Sequence, residues 1–97
     1  RDSVASRGLG DVYKRQTVNA VCPGYVETEM AASIRQAYAT MRNVSEEQVL
    51  NDFESKIPLG RYSSPDEVAA MVAYLASPSA ASVTAQALNV CGGLGIY

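Results

Sequence analysis

An apolar run from Val18 to Cys22 stops at Pro23-Gly24, and Thr28 follows four residues after the glycine, ahead of a helical pattern. These residue types can grip a small molecule. A Pro-Gly pair at the end of a strand lifts the backbone out of the sheet, and glycine lets another group come close to the main chain. In open α/β sheets, ligands lie in the crevice outside the carboxyl ends of the strands. Thr28 also stands at the mouth of the next helix, where a threonine hydroxyl is a plain N-cap. Ligand contact and capping are both open for Thr28, and one side chain can do both.

Other chemistry is thinly supplied. The chain has two cysteines, Cys22 and Cys91, each in a strand-like apolar run, and no histidine. Without histidine there is no Ser-His-Asp or Cys-His catalysis within the chain, and two thiols alone make no usual zinc site. The thiols read as small buried residues, both reduced, which fits a reducing, cytoplasmic compartment. Gly8 and Gly10 form G-L-G, but no strand precedes them and no third glycine follows, so they are a poor phosphate fingerprint. The net charge of -2 gives no basic footprint for nucleic acid. No apolar run approaches the ~20 residues needed to span a bilayer. At 97 residues, 47% hydrophobic and 19% charged, the chain has the make-up of folded, buried sequence.

The elements that position Pro23, Gly24 and Thr28 are legible in outline. Thr17 to Cys22 is expected to be a strand buried on both faces of a parallel sheet. From Glu29 to Arg42, Met30, Ile34, Ala37, Tyr38 and Met41 share one helical face. Asn43-Val44 breaks that helix. Ser45 then caps another, with Gln48 completing a capping box and Val49, Leu50, Phe53 and Ile57 along one side. Pro58 to Arg61 is a turn. The clearest start in the chain follows, with Ser64 as cap, Pro65 in the first helical position and Glu67 closing the box. Val68, Met71, Val72 and Leu75 continue that helix until Ser77-Pro78 ends it. Val83 to Cys91 is a second strand, stopping at Gly92-Gly93. Strand, helices and strand in this order make a parallel crossover. Two parallel strands alone are not a stable sheet, so the expected fold is the carboxyl-terminal part of a doubly wound, Rossmann-like α/β domain, incomplete as it stands.

Four stretches in this order and spacing carry a family resemblance: V-N-A-V-C-P-G-Y-V-E-T, I-P-L-G-R, S-P-D-E-V-A-A-M-V-A-Y-L-A-S and V-T-A-Q-A-L-N-V-C-G-G. Residues 17–97 resemble the carboxyl-terminal third of short-chain dehydrogenases/reductases. The T-A-Q-A-L and C-G-G-L-G-I-Y segments resemble the ketoreductases of aromatic polyketide synthesis. Most relatives have Asp where Cys91 stands and Gly where Ala85 stands.

The resemblance implies roles. Pro23 and Gly24 would let the main chain pass close to a nicotinamide ring. Val26 would offer its backbone N–H and C=O to the ring carboxamide, and Thr28 would bond the carboxamide or a phosphate oxygen. Residues 29–56 would form a lid over the substrate. The complete parent would use NADP or NAD to reduce a ketone on an acyl carrier or small molecule. It would be a homo-oligomer, with no nucleic-acid or membrane partner. The family's glycine-rich first turn, its catalytic Ser and its Tyr-x-x-x-Lys pair have no counterpart. Tyr13 and Lys14 are adjacent, and adjacent helical residues do not share a face, so the chain supplies no catalytic residue. Residues 1–16 show neither a strand nor a helix period and read as an unrelated or disordered leader. The chain alone is expected to be inactive and to bind no cofactor tightly. A non-catalytic interaction module and a truncated product without function are the other readings.

Overall fold

In the computed structural model, residues 15–95 are described. The expected leader at residues 1–16 therefore falls almost wholly outside the described residues, as do Tyr13 and Lys14. Two short strands, β1 (Ala20–Pro23) and β2 (Ala87–Val90), pair in parallel, with Ala20 opposite Ala87 and Pro23 opposite Val90. Between them run α1 (Glu29–Arg42), α2 (Glu46–Glu54) and α3 (Pro65–Leu75), then a single 3₁₀ turn at Pro78–Ala80.

Both strands begin later than the apolar runs suggest. Ahead of β1, the Asn19 side chain takes over the work of a ladder. Its Nδ2 donates to Val83 O at 3.0 Å, and its Oδ1 accepts from Gln86 N–H at 3.0 Å. Between those two residues Ala85 adopts a left-handed conformation, φ 59°, while its N–H donates to Val18 O at 2.8 Å. The chain at 83–86 is therefore a clamped turn, and β2 starts only at Ala87. At the two ends of β1, the N–H groups of Ala20 and of Gly24 just after it donate towards the β2 segment, at 2.9 and 3.1 Å. Pro23 has the opposite parity, so its missing N–H faces the edge away from β2, where a proline costs no bond of this pair.

The helix starts follow their caps. Thr28, Ser45 and Ser64 each accept from the backbone three residues on. At α3 the box is complete, since Glu67 Oε1 also accepts from Ser64 N–H at 2.8 Å. At α2 it is half made: Gln48 Nε2 donates to Asp52 Oδ1 instead. Helix α1 ends at Asn43, whose φ of 56° is the left-handed residue that closes many helices.

Packing departs from the sequence reading in α1. Met30 and Met41 are 72% and 83% exposed, so that apolar face looks outward. The buried side carries Ala39 against α2, where Val49 is wholly enclosed. Ile57 lies beyond α2 rather than on it, and is buried beneath Gly92. Helix α3 packs on both strands, yet none of its residues is fully buried. Among the described residues no helix is long and apolar enough to cross a membrane, and no group of three or more His, Cys, Asp or Glu could hold a metal ion.

Candidate functional site

The two strands end side by side, and Gly24 makes that possible. A Cβ on Gly24 would lie 2.7 Å from Cys91 Cβ and 3.0 Å from Cys91 Cα. The glycine is thus required by the neighbouring strand end. Sequence reasoning tied it to close approach of a ligand ring; the immediate constraint is Cys91. After Cys91 the chain turns through Gly92 and Gly93, with φ of 64° and 91°, where only glycine is relaxed. Cys22 faces Asn89, so the two thiols are not opposite each other, and both are free. Cys91 Sγ accepts from Gly95 N–H at 3.3 Å, which pulls the thiol below its ordinary range.

Beyond Gly24 the chain makes one parallel bridge, Val26 with the buried Ser63. The bonds belong to the flanking residues: Ser63 N–H donates to Tyr25 O, and Glu27 N–H donates to Ser63 O, both at 2.9 Å. In a parallel bridge this pattern turns the N–H and C=O of the central residue to the opposite side. Val26 therefore presents a donor and an acceptor side by side, with no hydrogen-bond partner among the described residues. Thr28 sits two residues on, its hydroxyl accepting from Ala31 N–H at 3.1 Å as the cap of α1. Capping leaves a hydroxyl its own proton to donate.

Aromatic contacts and one ion pair hold this loop against the helices. Tyr25 stacks on Tyr62 with centroids 5.5 Å apart, and meets Phe53 of α2 edge-on at 5.4 Å. Phe53 in turn meets Tyr38 of α1 at 5.6 Å. Each such pair contributes about 0.5–1.5 kcal/mol beyond its buried area. Arg35 of α1 reaches Glu27, its Nη2 within 2.9 and 2.8 Å of the two carboxylate oxygens. Those bonds raise the guanidinium pKa above its ordinary value.

The structure thus places Pro23, Gly24, Val26 and Thr28 along one stretch at the carboxyl end of β1. It also shows the parts that the sequence did not reveal: Ser63, Tyr62 and Arg35. A groove lies beside this stretch, between the 58–61 turn, the end of β2 and Gly92-Gly93, and it contains none of those four residues. Its charged members, Arg61 and Glu67, are spent on each other at 2.8 and 3.0 Å.

Comparison with known proteins identifies the architecture. A family model described as enoyl-(acyl carrier protein) reductase matches residues 5–95. A Streptomyces virginiae protein, named as the ketoacyl reductase of a monensin polyketide synthase, is 66% identical over 81 residues, 84% of this chain and 31% of the relative. The 3-oxoacyl-[acyl-carrier-protein] reductase FabG of Vibrio harveyi is 40% identical over 93 residues, 94% of this chain and 30% of its own. Among solved structures, a variant of actinorhodin polyketide ketoreductase crystallised with NADPH superposes with a TM-score of 0.76 at 56% identity, covering 96% of this chain and 36% of that one. A Francisella tularensis short chain dehydrogenase family protein gives 0.81 at 30% identity, covering 92% and 37%. The chain spans about a third of the length of these proteins, as a Rossmann-like α/β part with a short parallel sheet. Matched by the family model over residues 5–95 and by these relatives along most of its sequence, the chain belongs to the short-chain dehydrogenase/reductase family.

Proposed function

We propose that this chain is the nicotinamide-side portion of an NADP-dependent ketoreductase that reduces a keto group on an acyl or polyketide chain. The observation that carries the reading is the N–H and C=O of Val26, just beyond the carboxyl end of β1, which have no partner among the described residues. A carboxamide has one amino group to donate and one carbonyl to accept, so a flat backbone pair matches it twice. Thr28, with its proton still free to donate, stands where the same carboxamide or a phosphate oxygen would reach. Pro23 and Gly24 carry the main chain out of the sheet ahead of it, with Gly24 packed against Cys91. The residues fit the cofactor. When bound, the reduced nicotinamide supplies the hydride, and the protein supplies position and electrostatics.

In this reading residues 29–56 are the lid over the substrate. Exposed Met30, Ile34 and Met41 support it, since they give α1 an apolar outer face. NADP is preferred to NAD because a related ketoreductase was crystallised with NADPH. The substrate class follows from the ketoacyl reductases that this chain resembles. Exposed Val72 and Tyr74 on α3 support a homo-oligomeric parent.

The test is a chimera in which residues 17–97 replace the matching region of the Streptomyces virginiae relative. It should bind NADPH and oxidise it with an acetoacetyl thioester. A folded chimera that binds no nicotinamide cofactor would overturn the reading.

A further inference from the structure

We infer that Arg35 is a positioning residue that sets the orientation of the Val26 peptide, an inference that rests on the nicotinamide-side reading above. Val26 lies between two residues that Arg35 secures from outside the loop. On one side its Nη2 donates to both carboxylate oxygens of Glu27, at 2.9 and 2.8 Å. On the other its guanidinium lies 4.8 Å from the centroid of the Tyr62 ring, and that ring is stacked on Tyr25. Tyr25, Tyr62, Arg35 and Glu27 therefore close a ring of contacts around the Val26–Ser63 bridge.

The side chain is only 11% exposed, while Glu27 is 49% exposed, so the clasp is covered from the arginine side. Nη1 is buried with no partner among the described residues. Buried donors are nearly always bonded, and one left unpaired calls for a reason. The Nη2 bonds to Glu27 and the Tyr62 ring fix the guanidinium, and Nη1 is left on its covered side. Lysine, a flexible point charge, cannot do both at once. Because Arg35 belongs to α1, the clasp also ties the lid helix to the cofactor loop.

The experiment compares two probes on the chimera. NADPH engages both halves of a dinucleotide site, and adenosine 2′,5′-bisphosphate engages only the adenosine half. Arg35→Met should weaken NADPH binding by about tenfold, the size expected for breaking one coupled contact network. It should leave adenosine 2′,5′-bisphosphate unchanged. Glu27→Gln should act in the same direction, and the double variant should lose less than the two single losses combined. Loss of affinity for both probes together would make Arg35 a general structural residue and overturn the inference. Full NADPH affinity in Arg35→Met would overturn it too. If the unsubstituted chimera binds both probes equally tightly, its nicotinamide half adds nothing, and the reading of Val26 falls before that of Arg35.

Discussion

Gly24→Ala puts the close approach of the two strand ends to the test. An added methyl carbon would sit 2.7 Å from Cys91 Cβ and 3.0 Å from its Cα. Non-bonded carbons prefer about 3.5–4.0 Å, so the strand ends must part by about 1 Å. One obstacle is a backbone atom, which no rotamer change can move aside. Parting the strands also stretches the bond from Gly24 N–H to Val90 O, now 3.1 Å. Overpacking of this type costs about 1–3 kcal/mol. With backbone in the way, the upper half of that range is expected, roughly 2–3 kcal/mol, or a 30- to 150-fold drop in the folded-to-unfolded ratio. Urea unfolding of the chimera without cofactor should show this as a midpoint lowered by about 1 M. Adding Cys91→Gly removes the opposing Cβ at 2.7 Å but not the Cα at 3.0 Å, and should recover part of the loss. A Gly24→Ala chimera within about 0.5 kcal/mol of its parent, a difference expected of unremarkable surface sites, would refute the steric argument and leave ligand approach as the reason for the glycine.

Ala85→Gly should stabilise the chimera by about 0.5–1 kcal/mol, because a non-glycine residue in the left-handed region costs about 1–2 kcal/mol and glycine gives back part of that in entropy; matched urea curves will decide. Thr28→Val removes both the α1 cap and the free hydroxyl proton, and should weaken NADPH binding by about 0.5–1.5 kcal/mol in the folded chimera. An unchanged affinity would leave Thr28 as a cap alone. The Arg61 guanidinium and the Ser64 N–H hold the Glu67 carboxyl at about 2, below its ordinary 4.5. A lowered folded-state value means that the cap's contribution is complete above about pH 4.5 and is lost as pH falls towards 2. An NMR titration of the Glu67 carboxyl should therefore find its midpoint well under 4, and a midpoint at the ordinary value would count against the paired geometry.

What the sequence disclosed was local. Ser64, Pro65 and Glu67 lie within one helical turn, and their cap is complete in the structure. Glu29 to Arg42 was bounded on both sides by neighbours in sequence, Thr28 and Asn43. The order of motifs was enough to identify the family and the doubly wound fold. Features that depend on distant partners stayed hidden. The strand starts are set by Asn19, whose bonds reach 64 and 67 residues along the chain. Arg35 is one polar residue on a helix face with no periodic signal, and only the fold brings it to Glu27 and Tyr62. The outward face of α1 was also hidden, because a helical stripe shows that a face is apolar and not which partner covers it. Gln48 would have closed the box by accepting from the Ser45 N–H, but its amide is held instead by donating to Asp52, one turn further on.

The Asn19 clamp has a consequence for how the molecule assembles. Both strands are only four residues long and built largely from Ala, Val and Leu, so hydrophobic contact alone hardly distinguishes one alignment from its neighbours. Slipping by a single residue would turn every side chain to the wrong face. Asn19 removes the ambiguity, because its amide meets Val83 and Gln86 together in one alignment only. It can do so only after a loop of more than sixty residues has closed, an entropic cost that must be met before any contact repays it. The three helices are bounded by caps from their own neighbours in sequence. The strand pair has no such local stop, and one side chain is the key that tells the two ends of the crossover where to begin.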